Sequence, residues 1–157
     1  MGTTKKILIA FDDSENAMRA VEQVAEIFNP GNQITLFSVL QDTVSAFKMN
    51  HPELTPYFLA QQESFSEIEE QQKTIVERAQ QKARSILLQA GFRAENIVIE
   101  SRIQNKGIAR DIIDFASGYN IIVMGRRGLS GIQEFFLGSV SQKVLHSVKD
   151  ISVLIVN

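Results

Sequence analysis

The stretch Ile7-Leu-Ile-Ala-Phe-Asp-Asp-Ser-Glu15 decides the fold. Its five apolar residues in a row are typical of a strand that is buried on both faces of a parallel sheet. The polar residues that follow include common helix N-caps, and apolar residues then recur at helical spacing from Ala17 to Phe28. The stretch therefore predicts a strand that leads directly into a helix, which is the repeating unit of parallel α/β sheets.

The same alternation of strands and helices continues along the chain. Further strands are predicted at Ile34–Leu40, Asn96–Ile103, Ile121–Met124 and Ile151–Val156. Helices are predicted over Phe58–Ala90, Gly107–Ala116 and Ser139–Lys149. This order predicts an α/β fold with one open, mostly parallel five-stranded sheet and helices on both faces.

Two segments carry no clear structural signal. Residues 41–56 lack periodicity and contain two prolines, so we predict an irregular segment there. Residues 63–73 at the start of the long helix are rich in Glu and Gln. This composition fits a solvated helix face, and a surface that binds a partner is the alternative.

Length and composition restrict the class of protein. The 157 residues suit one domain, 1–157, and 44% hydrophobic with 22% charged residues is ordinary for a globular chain. With 16 Lys+Arg against 18 Asp+Glu there is no basic surplus to neutralise nucleic acid, and the absence of cysteine excludes thiolate sites. No apolar run approaches the ~18 residues of a membrane span. We therefore expect a cytoplasmic protein with no membrane insertion and no nucleic-acid partner.

The most informative loop follows the fourth predicted strand, from Gly125 to Ser141. Its glycines allow a backbone to approach a phosphate closely, and the next helix directs N–H groups to the same point. The loop lacks the Gly-Lys-Ser/Thr of a P-loop. The alternative is purely structural: Ser139 and Gln142 form a capping box, and the glycines shape a turn.

The spacing G-x2-G-x9-G-S, formed by Gly125, Gly128, Gly138 and Ser139, resembles the nucleotide-binding signature of the universal stress protein family. The likeness extends from Lys6-Ile-Leu-Ile-Ala-Phe-Asp12 to the Val-Leu-Ile-Val stretch of the last strand. The resemblance implies a strand order of 3-2-1-4-5 with ATP held between the first and fourth strands. AMP and ADP remain alternatives to ATP, and a divalent metal such as Mg²⁺ remains an open question.

The resemblance also implies a role for individual positions. Adenine and ribose would be bordered by Ala10, Phe11 and Asp12, and adenine would meet the backbone of Val39. The nucleoside would be flanked by Met124 and Gly125. The phosphates would lie along Arg127 and Gly128 and be cradled by Gly138, Ser139, Val140 and Ser141.

Some positions depart from the family pattern or have a second interpretation. Ser38 stands where family members often have His, and Lys149-Asp-Ile-Ser152 replaces a Cys-Pro-containing approach to the last strand. Asp12 could contact ribose, help to hold a divalent ion, or cap the first helix. A catalytic role is not expected for His146, which would lie near the C-terminus of its helix.

Three hypotheses of function follow. The first is a nucleotide-binding regulatory stress-response protein, in which ATP occupancy biases assembly or partner binding. The second is a slow ATP hydrolase or nucleotidyl transferase that uses the same pocket, with Glu134 as its one candidate base. The third is a dimeric interaction protein with an empty pocket, against which the intact glycine set argues. We also expect a homodimer that pairs through the last strand, Ile151 to Val156.

Overall fold

The structure is a computed structural model that describes residues 2–42, 52–126 and 137–157. Its strands are β1 (Lys6–Ala10), β2 (Gln33–Leu40), β3 (Ile97–Ile103), β4 (Ile121–Gly125) and β5 (Ser152–Val156). Its α-helices are α1 (Glu15–Ile27), α2 (Thr55–Ala60), α3 (Gln62–Gln89), α4 (Ile108–Phe115) and α5 (Ser139–Ser147). Two short 3₁₀ turns lie at Pro52–Leu54 and Ala94–Asn96.

The five strands form one parallel sheet in the order β3-β2-β1-β4-β5. This order confirms the predicted α/β class and the predicted arrangement of the strands. β1 lies at the centre, where Ile7 is paired with Ile34 of β2 on one side and with Ile121 of β4 on the other. Since the chain winds outward in opposite directions from β1, a crevice is expected at the carboxyl ends of β1 and β4.

The core consists of two apolar layers, one on each face of the sheet. Alternate residues of β1 point to opposite faces, so Ile9 packs with α1 and α3 whereas Leu8 packs with α4 and α5. Both side chains are fully buried. Burial on both faces explains why β1 and β4 are continuous apolar runs rather than alternating ones.

The predicted helix Phe58–Ala90 is in fact two helices, α2 and α3, which are interrupted at Gln61. Two apolar residues of α3 at helical spacing lie outside the core. Ile68 and Ile75 are 51% and 44% exposed, while Val76 is buried. The sheet covers the second half of α3. Among the described residues, the apolar side chains of its first half therefore lie outside the core.

A buried polar group fixes α3 on the sheet. The side-chain amide of Gln80 donates one hydrogen bond to Ser38 Oγ of β2 (2.9 Å) and one to Ser101 Oγ of β3 (3.0 Å). Gln80 is only 2% exposed and Ser38 only 1%. The buried hydroxyl of Ser38, a departure from the family pattern, therefore has a structural partner on this helix.

We expect Gln80→Leu to lower the free energy of unfolding by about 1–3 kcal/mol, because a side chain of similar size leaves the two serine hydroxyls without the amide. Urea denaturation followed by circular dichroism measures this loss. Gln81→Leu is the matched control, since the neighbouring Gln81 is exposed and its substitution should be nearly neutral. Equal stability of the two variants would contradict a stabilising role for Gln80.

Candidate functional site

The carboxyl ends of β1 and β4 bring several predicted site residues together. Ala10 of β1 pairs in register with Met124 of β4, so the residues that follow them begin side by side. Phe11 extends β1 by one backbone hydrogen bond, from its N–H to the carbonyl of Phe37 on β2 (2.8 Å). Phe11 and Met124 are nearly fully buried, in the core layers on opposite faces of the sheet, whereas Ala10 and Gly125 are half-buried.

Asp12 shapes the turn between β1 and α1. Its Oδ1 accepts a hydrogen bond from the backbone N–H of Ser14 (2.9 Å). Ser14 is the N-cap of α1, since its Oγ accepts a hydrogen bond from the N–H of Ala17 (3.1 Å). The interpretation of Asp12 as the helix cap is therefore wrong, and its half-buried carboxylate lies at the entrance of α1 beside the crevice.

Val39 lies at the carboxyl end of β2, two residues beyond the Phe37 carbonyl that pairs with Phe11. Its half-buried side chain packs on the layer formed with α4 and α5. Val39 is thus on the same edge of the sheet as the ends of β1 and β4.

Gly125 allows α1 to approach the end of β4. A Cβ at this position would lie 2.7 Å from Cβ of Asn16 and 2.8 Å from its carbonyl carbon. Real Cβ atoms do not come so close to a backbone, and only glycine fits here. Asn16, in the first turn of α1, is a neighbour of the site that the sequence pattern does not reveal, since nothing in the sequence links it to Gly125.

The two ends of the glycine-bearing loop are joined by backbone hydrogen bonds at Arg126. The N–H of Arg126 donates to the carbonyl of Val156 on β5 (2.7 Å), and its own carbonyl accepts from the N–H of Gly138 (2.9 Å). The side chain of Arg126 also contacts Asn157, with Nη1 3.4 Å from Oδ1. Arg126 therefore connects β4, β5 and the start of α5.

α5 begins at the same place. Gly138 is its N-cap and no side chain caps the helix, so the predicted capping box of Ser139 and Gln142 does not form. Instead the N–H of Gln142 donates to the carbonyl of Gly138 (2.9 Å). The N–H groups of a first helical turn have no partner inside the helix and carry partial positive charge. An anion is the ligand that such a helix end accepts.

The side chains of the first turn of α5 differ in their surroundings. Ser139 is exposed and Val140 is half-buried. Ser141 is 3% exposed and its Oγ donates a hydrogen bond to the carbonyl of Gly125 (2.9 Å). This bond fixes α5 against the end of β4, so the nucleoside side and the phosphate side of the predicted site are in direct contact.

Other candidate residues lie elsewhere. Arg127, Gly128 and Glu134 are outside the described residues. His146 is exposed in the last turn of α5, as expected.

Among residues 2–42, 52–126 and 137–157, no group of three or more His, Asp or Glu side chains could hold a metal ion. Within the same ranges, no helix combines the length and the apolar composition that crossing a bilayer requires.

Two cavities of the described part are away from the crevice. One of about 430 Å³ lies between α1 and β5, where it is lined by residues such as Arg19, Gln23 and Leu154. The other, of about 270 Å³, lies near the amino ends of β1 and β2, beside Lys6 and Tyr119. Residues 127–136, between β4 and α5, are outside the described residues.

Comparison with known proteins agrees with this architecture. The universal stress protein Sll1388 of Synechocystis sp. is 32% identical over an alignment of 157 positions, which covers 96% of each chain. The universal stress protein UspA of Lactobacillus plantarum has the same fold, with a TM-score of 0.76, 19% identity and full coverage of both chains. A universal stress protein in complex with cAMP has a TM-score of 0.62 and 17% identity, over 99% of this chain and 98% of that one. A family model described as "Universal stress protein family" matches residues 3–157, and the chain therefore belongs to the universal stress protein family.

Proposed function

We propose that this protein binds ATP in the crevice between β1 and β4 and acts as a regulatory stress-response protein whose nucleotide occupancy biases its assembly or its choice of partner. The observation that carries the proposal is the contact between Ser141 and Gly125, which sets the N-terminus of α5 directly against the end of β4. A nucleotide has a flat aromatic base at one end and an anionic chain at the other. The crevice offers the strand ends to the base and the N-terminus of α5 to the anionic chain.

On the nucleoside side, the proposal uses the residues that end β1, β2 and β4. The base would lie near Ala10, Phe11 and the backbone of Val39, with Met124 and Gly125 flanking the nucleoside. Asp12 carries the acceptor oxygens that ribose hydroxyls require. Its fixed turn with Ser14 supports this role, since the carboxylate is held in place before a ligand arrives.

On the phosphate side, the proposal uses the first turn of α5. The backbone N–H groups of Ser139, Val140 and Ser141 would donate to phosphate oxygens, and Gly138 allows the chain to come close. Arg127 and Gly128 are the loop residues proposed to lie along the phosphates, and Arg127 would offset their charge. Mg²⁺ would be bound by phosphate oxygens and water together with one or two carboxylates, the arrangement that this ion usually adopts beside nucleotides.

The comparisons support an adenine nucleotide in general terms. A family member of the same fold has been solved in complex with cAMP, which contains an adenine base, a ribose and one phosphate. At 17% identity this likeness concerns the fold. AMP and ADP therefore remain alternatives to ATP for this chain.

ATP at 100 times its dissociation constant should stabilise the protein by about 2.7 kcal/mol. For a domain of this size the melting temperature should then rise by roughly 5–10 °C. Differential scanning fluorimetry with ATP, ADP, AMP and GTP measures the shift and ranks the nucleotides. Mass analysis of whatever the denatured, purified protein releases identifies a nucleotide that copurifies.

Gly138→Val is the informative variant for this experiment. A branched side chain at the start of α5 would occupy the space through which phosphates approach the backbone, so the ATP-induced shift should disappear. Gly31→Val is the control, because Gly31 lies in the exposed turn between α1 and β2. A full ATP shift in folded Gly138→Val, or no shift with any adenine nucleotide in the wild type, would contradict the proposed site.

The proposal also includes a homodimer that pairs through β5. β5 is an edge strand that pairs with β4 on one side. Among the described residues, neither α3 nor any other element forms a ladder with its second side. An edge strand with apolar side chains such as Leu154 and Ile155 is a template for pairing with another chain.

A further inference from the structure

Ser141, one of the residues expected to cradle the phosphates, has a hydroxyl that is already bonded inside the protein. A serine hydroxyl has one hydrogen to donate, and a phosphate oxygen accepts hydrogen bonds but does not donate them at neutral pH. The hydrogen of Ser141 is directed to the carbonyl of Gly125 at 2.9 Å. To bind phosphate with its hydroxyl, Ser141, which is itself nearly fully buried, would have to leave the Gly125 carbonyl.

The contact adds a second link between the end of β4 and the start of α5. Gly125 ends β4, where its register partner is Val156 of β5. α5 is tied to the same region by the bond from Gly138 N–H to the carbonyl of Arg126. Ser141 adds a side-chain bond one helical turn further on, so the first turn of α5 is held at both of its ends.

We infer that Ser141 is a positioning residue of the nucleotide site: its hydroxyl holds the Gly125 carbonyl and the first turn of α5 in one fixed arrangement, and it does not bind phosphate itself. The inference rests on the proposed function and deepens it. The backbone N–H groups of the first turn remain the phosphate donors, and the Ser141 hydroxyl sets the distance between those donors and the nucleoside side.

The physical consequence differs from that of a lost ligand. Without the hydroxyl, the Gly125 carbonyl lacks its partner and the end of β4 samples other orientations. The apparent affinity is then the intrinsic affinity multiplied by the fraction of molecules in the competent arrangement. This factor is the same for every adenine compound. A lost phosphate contact would instead weaken ATP and leave adenosine unchanged, because adenosine has no phosphate.

The test compares adenosine and ATP by isothermal titration calorimetry with the wild type, Ser141→Ala and Ser141→Thr. Ser141→Ala should weaken both compounds by a similar factor of about three to ten, the range expected for one neutral hydrogen bond. Ser141→Thr, which keeps the hydroxyl, should restore most of the affinity. The control Ser147→Ala removes an exposed hydroxyl at the other end of α5 and should leave both affinities unchanged.

A second measurement tests the contact without relying on nucleotide affinity. The carbonyl ¹³C resonance of Gly125 should differ between the wild type and Ser141→Ala in the ligand-free proteins, and the same difference should persist when both are saturated with ATP. A difference that disappears on saturation means that the hydroxyl has moved to the ligand, which overturns the inference. A loss of affinity in Ser141→Ala that is confined to ATP also overturns the inference. A wild type that binds ATP but not adenosine overturns it as well.

Failure of the proposed function would look different. A wild type that binds neither compound while the Gly125 resonance still responds to Ser141→Ala would refute the nucleotide site and, with it, a positioning role. The hydrogen bond itself would still stand as a structural contact between α5 and β4.

Discussion

Gly125→Ala is expected to destabilise the protein by about 2–3 kcal/mol, the cost of forcing an extra methyl group into a packed site. The added Cβ would lie 2.8 Å from the backbone carbonyl carbon of Asn16, and a backbone atom in the first turn of a helix cannot move aside as a side-chain end can. Either α1 or the end of β4 must shift. The melting temperature should fall by roughly 4–12 °C at the 2–4 °C per kcal/mol typical of this size, as measured by scanning calorimetry.

The same variant should also lose affinity for ATP. Asp12 and Ser14 lie just before α1, and a displaced α1 would carry this turn away from the end of β4. Gly31→Ala is the matched control, because the nearest atom to its added Cβ is a side-chain oxygen of Asn29 at 3.2 Å. If Gly125→Ala and Gly31→Ala melted at the same temperature, the close approach of Asn16 to Gly125 would not be a constraint on the fold.

This contact illustrates the limit of prediction from sequence. The pattern around Gly125 indicates a glycine at the end of a strand, and either a turn or a ligand explains it equally well. The structural reason is Asn16, which is far away in sequence and approaches only after β1 and β4 have paired. Packing of this kind has no periodic signal along the chain.

The strands were predictable because burial on both faces leaves a direct mark on composition. Ile7 to Ile9 and Ile122 to Met124 are continuous apolar runs for that reason, and their predicted order is confirmed. The buried face of α3 was harder to predict, since Ile75 and Val76 are adjacent and both apolar. Only contact with the sheet decides that Val76 is the buried one.

The helix N-termini show a third case. Before α1 the sequence offers Asp12, Asp13 and Ser14 as possible caps, and all three residue types cap helices well. Ser14 is the N-cap because Asp12 forms a turn that directs the chain out of β1. Before α5, Ser139 is the better cap by residue type, yet Gly138 takes the position because its N–H is bonded to the carbonyl of Arg126. Bonds across the loop thus override local preference.

We expect Val153→Pro to convert the proposed homodimer into a monomer. In a parallel strand the N–H and C=O of one residue point to the same side, and the direction alternates along the strand. The N–H of Ser152 donates to the carbonyl of Asn120 and the carbonyl of Val156 accepts from Arg126, so Ser152, Leu154 and Val156 face β4. The outward backbone groups of β5 therefore belong to Val153 and Ile155.

This pattern fits antiparallel pairing of two copies about a two-fold axis at Leu154. Val153 would then oppose Ile155 of the second copy, and both have the outward groups that such a pair exchanges. Val153→Pro removes one outward N–H from each copy while keeping the ladder with β4, and proline is tolerated on edge strands for this reason. Of the two residues with outward backbone groups, Val153 has the smaller side chain, so its replacement removes less apolar surface than that of Ile155. The Val153 side chain is half-buried.

Light scattering coupled to size exclusion should give a dimer for the wild type at micromolar concentration and a monomer for Val153→Pro, with both proteins showing the same circular dichroism spectrum. Val153→Ala is the control: it removes side-chain contacts but keeps the N–H, and it should remain dimeric. Leu154→Pro behaves differently, because it breaks a bond to β4 and should lower stability as well as association. A wild type that is monomeric, or a dimer that survives Val153→Pro, means that the second copy does not pair through β5.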